Sequence, residues 1–138
     1  MPKKPSLAPA KPTLGTVLVV DDSRTIRKLV SMTMTGAGFE VVEAEDGSSA
    51  LDRIREIGVP HLILLDVAMP GMDGYEVCRL VRRNPDTQKV PVIMLTGKDG
   101  FFDKIRGRLA GTNAYLSKPL QPDALLQAVR KHCPADRT

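Results

Sequence analysis

Five residues of types that can handle a metal and a phosphoryl group follow short apolar segments of the sequence. Asp21 and Asp22 end the first such segment, Asp66 ends a later one, Thr96 another, and Lys118 follows the last. If these segments are parallel strands, their carboxyl ends meet at one edge of a sheet, where ligands of open α/β sheets bind. The spacing therefore predicts one site built from three carboxylates, a hydroxyl and an ammonium group.

The chemistry open to such a set is narrow. Three carboxylates held together repel one another, and removal from water strengthens the repulsion, so a cation is needed. Oxygen ligands without His or Cys favour Mg²⁺. A lysine and a hydroxyl beside Mg²⁺ can hold a phosphoryl group, and a carboxylate can be the nucleophile that forms an acyl phosphate. Taken singly, Asp22 could cap a helix, Asp66 could begin a loop, Thr96 could be a turn residue and Lys118 a solvated charge.

The elements that must position these residues alternate regularly between strand and helix. Apolar periodicity predicts five strands and five helices, which places a parallel sheet between two layers of helices in an α/β fold. The strands are expected at 16–21, 40–43, 61–66, 91–96 and 114–117, and the helices at 24–37, 46–57, 73–83, 101–110 and from Pro122 to about His132.

Details of the helices are also predicted. Asp73 and Glu76 have the spacing of a capping box at a helix start, and Pro122 suits the first turn of the final helix. The residues expected to face the core are Ile26, Leu29, Val30, Thr33 and Ala37 in the first helix, Ala50, Leu51, Ile54 and Ile57 in the second, and Leu125, Leu126 and Val129 in the last.

The length of 138 residues fits one domain. Residues 1–15 contain four prolines with Lys, Ala and Ser, a composition that predicts a flexible N-terminal tail. We therefore expect the domain to span 16–133, with a short tail at 134–138. The formal charge is +4, but three of the lysines lie in the N-terminal tail, so the domain is nearly neutral and a poor candidate for nucleic-acid binding.

The cysteines and the apolar segments of the sequence indicate the cellular compartment of the protein. Cys78 and Cys133 are far apart and lack a metal-binding spacing, so free thiols in a reducing compartment are expected. The first residues lack the apolar core of a signal peptide, and no apolar run approaches the ~20 residues that span a bilayer. These features predict a cytoplasmic protein.

The sequence resembles the receiver domains of two-component response regulators from about residue 17 to 132. The resemblance is carried by Val19-Val20-Asp21-Asp22-Ser23, by Leu65-Asp66-Val67-Ala68-Met69-Pro70-Gly71-Met72-Asp73-Gly74, by Thr96-Gly97 and by Lys118-Pro119. It implies a flavodoxin-like sheet with strand order 2-1-3-4-5. The segment from Thr96 to Arg108 also resembles the chemotaxis and twitching-motility branch of the family.

The resemblance implies a role for each site residue. Asp66 would accept the phosphoryl group, and Mg²⁺ would be bound by Asp22, Asp66, the backbone carbonyl of Ala68 and, through a water, Asp21.

Other roles concern the phosphorylated state. Thr96 and Lys118 would bind phosphoryl oxygens, and Tyr115 stands at the aromatic switch position of the family. A cis peptide bond is expected between Lys118 and Pro119. Ala68 and Lys98 occupy positions that tune the phosphoryl lifetime, and the sequence does not fix their effect.

The implied function is a phosphorylation switch rather than an enzyme. A sensor histidine kinase would donate the phosphoryl group, and the signal would leave by protein–protein contact. A basic surface at Lys98, Lys104, Arg106 and Arg108 is either a solvated face or the docking face for an acidic partner segment. A role as a phosphate sink stays open. The protein would be a monomer or a weak phosphorylation-dependent dimer, without DNA binding or membrane insertion.

Three competing classes fit less well. A haloacid dehalogenase-type phosphatase needs a second Asp two residues after its nucleophile, where Ala68 stands. A flavin carrier needs a phosphate-binding loop after the first strand, where Asp21 and Asp22 would repel phosphate. A DNA-binding regulator needs an output domain, and we expect the few residues after His132 to be too short to form one.

Overall fold

In the computed structural model, which describes residues 14–97 and 110–133, five parallel strands form one sheet. The strand order is β2-β1-β3-β4-β5, so the predicted fold class and strand order are confirmed. The elements are β1 (Thr16–Val20), α1 (Arg24–Gly36), β2 (Glu40–Ala44), α2 (Gly47–Ile57), β3 (Leu62–Asp66), α3 (Gly74–Arg83), β4 (Val92–Thr96), β5 (Ala114–Ser117) and α4 (Pro122–His132).

The sheet separates two apolar cores. Every residue of β3 and β4 is buried, as expected for central strands covered on both faces. Successive side chains of a strand point to opposite faces. Accordingly, Val17 and Val19 pack with α1 and α4, whereas Leu18 and Val20 pack with α2 and α3.

The helix starts follow from local capping. Ser23 caps α1, because its side chain accepts a hydrogen bond from the amide of Ile26. Asp22 is therefore not the cap of this helix, which removes the simplest structural explanation for that residue. Asp73 and Glu76 form the predicted capping box of α3, and Pro122 opens α4 as predicted.

Two details of the predicted helix faces differ from the structure. Ile57 was expected to face the core but is 42% exposed, because it is the last residue of α2, which ends at the cap residue Gly58. Met34 was not among the predicted core residues of α1 but is fully buried, since it lies one helical turn beyond Val30 on the same face.

Several predictions lie outside the described residues. They are the structure of most of the N-terminal tail, all but the last residue of the predicted 101–110 helix, the basic surface at Lys98, Lys104, Arg106 and Arg108, and the tail at 134–138. Cys78 and Cys133 are buried free thiols. Among the described helices, none combines the length and apolar character needed to cross a membrane.

Candidate functional site

The predicted site residues meet at the carboxyl edge of the sheet. Asp21 and Asp22 follow β1, Asp66 is the last residue of β3, and Thr96 is the last residue of β4. Carboxylate oxygens of Asp21, Asp22 and Asp66 all lie within 4.8 Å of one another. The parallel sheet thus brings together acids that are separated by more than forty residues in the chain.

Lys118 completes the cluster from the adjacent strand end. Its Nζ lies 2.8 Å from Asp21 Oδ2 and 3.5 Å from Asp66 Oδ1. The backbone amide of Lys118 donates to the carbonyl of Thr96 at 2.7 Å, and the Lys118–Pro119 bond is cis, as predicted. Since Lys118 directly follows β5, the hydrogen bond between its amide and Thr96 helps to keep the ammonium group beside the acids.

Asp21 is the most deeply buried acid of the site, with no exposed surface. Its Oδ1 accepts a hydrogen bond from the amide of Ser23 at 2.8 Å. Its Oδ2 is in ion-pair contact with Lys118 but has no hydrogen bond of good geometry among the described residues. A buried carboxylate oxygen in this state carries a free-energy cost unless another group offsets its charge.

Asp66 is shifted toward its protonated form. Burial raises the pKa of its carboxyl to about 6, and the charge of Asp21 adds to the shift, while Lys118 and a hydrogen bond from the amide of Ala68 oppose it. Ionisation of Asp66 in this site therefore carries a free-energy penalty, which burial and the neighbouring Asp21 impose.

The pKa of Lys118, the cation of this cluster, is also shifted. Burial alone would lower the pKa of Lys118, but its contacts with Asp21 and Asp66 outweigh burial and raise it. Lys118 is therefore a permanent cation that offsets only part of the charge of three acids.

The remaining predicted residues lie around this cluster. Thr96 is buried, and its hydroxyl is 3.5 Å from the carbonyl of Leu116. Ala68 is exposed, and its amide donates to Asp66 Oδ1 at 3.2 Å. Tyr115 pairs in register with Met94 and packs, partly buried, against the core beneath α2 and α3.

Two features of the site were missed by the sequence reasoning. Arg27 donates to the backbone carbonyl of Asp21 at 2.7 Å and pairs with Glu43. Gly74 packs so closely on β3 that a Cβ there would clash with the backbone oxygen of Asp66. The Asp73-Gly74 pair at a helix start was visible in the sequence, whereas the contact between Arg27 and Glu43 depends on strand pairing.

The donor set fits a hard divalent cation. Three clustered carboxylates offer the oxygen ligands that Mg²⁺ binds, and no described His or Cys belongs to the cluster. The adjacent lysine and hydroxyl leave the site suited to a phosphoryl group as well.

The fold and this edge cluster define a receiver domain. The family described as the response regulator receiver domain matches residues 17–130, and the chain belongs to that family. Receiver domains bind Mg²⁺ at an acidic pocket, in agreement with the cluster of Asp21, Asp22 and Asp66.

Individual relatives refine the assignment. The chain is 42% identical over 119 residues to Protein PilG of Pseudomonas aeruginosa, covering 86% of this chain and 87% of that protein. It resembles the crystal structure of the chemotaxis protein CheY4 of Vibrio cholerae with a TM-score of 0.81 and 36% sequence identity, covering 87% of this chain and 99% of that one.

Longer relatives share the same domain. The chain is 39% identical over 114 residues to the DNA-binding response regulator MtrA of Mycolicibacterium smegmatis, covering 83% of this chain but 48% of that protein. It thus spans about half the length of MtrA, and the likeness extends only to the receiver part.

Proposed function

We propose that this receiver accepts a phosphoryl group on Asp66 from the phosphohistidine of a sensor kinase and then signals through protein–protein contact. The observation that carries the proposal is the position of Asp66 at the end of the central strand, where it faces both acids and the ammonium of Lys118. It would act as a cytoplasmic signalling phosphoprotein that assists its own phosphorylation rather than as an enzyme with an external substrate.

Asp21, Asp22, Asp66 and the backbone carbonyl of Ala68 are the proposed Mg²⁺ ligands, with Asp21 acting through a water. Bound Mg²⁺ would supply the positive charge that the three carboxylates and the incoming phosphoryl oxygens require. Burial and charge repulsion at Asp21 and Asp66 support this assignment, because both penalties fall when a cation binds.

In the transfer step, a carboxylate oxygen of Asp66 attacks phosphorus. The P–O bond to Asp66 forms as the P–N bond to the kinase imidazole breaks, and the bonding electron pair returns to the imidazole nitrogen. With a pKa of about 6, Asp66 is mostly ionised near neutral pH and can act as the nucleophile. Lys118, already 3.5 Å from Asp66, is placed to neutralise a phosphoryl oxygen.

The phosphoryl group carries roughly two negative charges, which would draw Thr96 and Lys118 inward. Since the amide of Lys118 is bonded to the carbonyl of Thr96, the two strand ends respond together, and Tyr115 repacks on β5. The likeness to PilG and to a chemotaxis protein supports a role in chemotaxis or twitching motility; passive removal of phosphate from the kinase is the competing role.

Acetyl phosphate with Mg²⁺ tests the acceptor. Wild type should gain one phosphoryl group by intact-protein mass spectrometry, Asp66→Asn should gain none, and the exposed Asp86→Asn should behave as wild type. Equal labelling of wild type and Asp66→Asn would reject Asp66 as the acceptor.

The pathway is tested in the native host. Replacement of Asp66 by Asn in the chromosome should impair directed movement, either swimming in a gradient or movement over a surface. Normal performance in both assays would contradict the motility assignment while leaving the chemistry at Asp66 intact.

A further inference from the structure

Arg27 links the acidic corner after β1 to the neighbouring edge strand. Its Nη1 donates to the backbone carbonyl of Asp21 at 2.7 Å, and its Nε lies 3.1 Å from Glu43 Oε1. Glu43 in turn accepts a hydrogen bond from Ser31 at 2.9 Å through its other oxygen. The side chain of Arg27 is 15% exposed and that of Glu43 is 45% exposed, so the guanidinium group is largely buried where it meets the Asp21 carbonyl, while its ion pair with Glu43 is open to solvent.

The location of this arginine is unfavourable for the helix that carries it. Arg27 lies in the first turns of α1, which has no acidic residue in its first turn. A cation near a helix N-terminus opposes the positive end of the helix dipole. Stabilisation of α1 therefore does not explain the presence of an arginine at position 27. The two directed contacts of Arg27, with the Asp21 carbonyl and with Glu43, do explain it.

The carbonyl that Arg27 binds belongs to the peptide unit that joins Asp21 to Asp22. The peptide unit is planar, so holding its oxygen also fixes the amide of Asp22 and limits where the carboxylate of Asp22 can point. The other groups of the corner hold Asp21, through Ser23 and through the carbonyl of Ala44. No hydrogen bond or ion pair from another described residue constrains the exposed side chain of Asp22.

We propose that Arg27 is a positioning residue of the metal site, which sets Mg²⁺ affinity by fixing the Asp21–Asp22 peptide in the orientation needed for binding. The inference rests on the proposed function, since it assumes that Asp22 is a ligand. Groups that orient metal ligands typically change metal affinity by about 10- to 100-fold when they are replaced.

The sign of the effect separates positioning from simple charge. A cation close to the acids repels Mg²⁺, so if Arg27 acted through its charge alone, Arg27→Gln would tighten binding and Arg27→Lys would leave it unchanged. If Arg27 acts by positioning, both variants weaken binding, because a lysine ammonium cannot reproduce the two directed contacts of the guanidinium group.

Isothermal titration calorimetry of Mg²⁺ into the unphosphorylated protein is the test. We expect Arg27→Gln to weaken Mg²⁺ binding about 10-fold and Arg27→Lys by a smaller factor. Arg82→Lys is the matched control, because Arg82 also binds backbone carbonyls, but at the opposite edge of the sheet; it should lower the melting temperature without changing Mg²⁺ affinity. If Arg27→Gln fails to fold, Arg27→Lys carries the test.

Three outcomes would overturn the inference. One is unchanged or tighter binding by the Arg27 variants in a wild-type background that binds Mg²⁺ and is labelled on Asp66; the proposed function then stands. Another is an equal loss of affinity in Arg82→Lys, which would show that affinity follows general stability. The third, failure of wild type to bind Mg²⁺ at all, would remove the proposed function as well.

Discussion

The two edges of the sheet surround their partly buried charges with different groups. At the amino edge, the guanidinium group of Arg82 donates to the carbonyls of Gly111, Gln88 and Val90 at 3.0, 3.1 and 2.7 Å, and to Asn113 Oδ1 at 2.8 Å. Every acceptor is neutral, and each donor is directed at an oxygen. This edge joins α3 to the starts of β4 and β5.

At the carboxyl edge, charge is concentrated rather than dispersed. One ammonium group, that of Lys118, faces the three acids Asp21, Asp22 and Asp66. The pKa of Asp66 is raised to about 6 by burial and by Asp21, and Asp21 Oδ2 has no well-formed hydrogen bond among the described residues. The clustered acids therefore lower the stability of the metal-free fold, and a bound cation and a phosphoryl group would complete the site.

The comparison predicts that substitutions at the two edges have opposite effects on stability. Removal of the arginine at the amino edge should destabilise the fold, whereas removal of an acid at the carboxyl edge should stabilise the metal-free fold. Three of four experiments, ordered from the largest expected effect to the smallest, test this contrast, and the fourth tests how closely α3 packs on the strand that carries Asp66.

Arg82→Ala should lower the free energy of unfolding by about 3 kcal/mol, because it leaves several acceptors at the amino edge without their donor. Urea denaturation measures the change, and Mg²⁺ binding should not alter. Arg83→Ala, at the exposed neighbouring position, should stay within about 0.5 kcal/mol of wild type. Equal losses of stability in Arg82→Ala and Arg83→Ala would show that the contacts of Arg82 do not stabilise the amino edge.

Asp66→Asn should stabilise the metal-free protein near pH 7.5 by about 2–3 kcal/mol, the equivalent of the shift in pKa. Because the folded-state pKa of about 6 lies above the ordinary value of 3.8, this carboxyl favours folding below pH 3.8, and its contribution is lost as pH rises through 6. The advantage of Asn should therefore shrink on acidification and disappear by about pH 4.

Chemical denaturation in EDTA across this pH range provides the measurement, with Asp86→Asn as the exposed control. A constant difference between wild type and Asp66→Asn at all pH values would mean that ionisation of Asp66 carries no penalty in the fold.

Gly74→Ala should cost about 2 kcal/mol, since the added methyl group meets the backbone of Asp66 and Val67 and forces α3 away from β3. Gly36→Ala is the control, because nothing lies within 4 Å of the added carbon there. Thermal unfolding in EDTA compares the two variants. An unchanged melting temperature in Gly74→Ala would show that β3 and α3 can move apart at little cost in stability.

Mg²⁺ at about ten times its dissociation constant should stabilise wild type by about 1.4 kcal/mol through mass action. Asp22→Ala should lose this response and should be at least as stable as wild type without metal, because one repelling charge is removed. Thermal unfolding with and without Mg²⁺ checks both expectations. An undiminished Mg²⁺ response in Asp22→Ala would exclude Asp22 as a ligand.

The carboxyl-edge cluster was predictable from sequence for a definite physical reason. Alternating strands and helices require parallel strands, and parallel strands place all their carboxyl ends at one edge. The positions of Asp21, Asp66 and Thr96 along their apolar segments were therefore enough to place them together. The strand order came from the family resemblance, because periodicity does not specify which strands are neighbours.

Contacts that depend on the exact approach of two elements were not predictable. The pair of Arg27 and Glu43 exists because β2 pairs beside β1 in a register that matches Val19 with Glu43. Arg82 is likewise joined to residues that precede β4 and β5. In both cases the sequence shows only an arginine on a helix, and the acceptors are selected by tertiary packing.

The division of the apolar side chains by the sheet has a consequence for the evolution of this domain. Leu64 and Leu65 are neighbours in sequence, yet they belong to different cores. Substitutions that share no contacts tend to have additive effects on stability. One core can therefore accumulate changes in volume and shape without requiring matched changes in the other, so that the surfaces of α1 and α4 can diversify independently of those of α2 and α3.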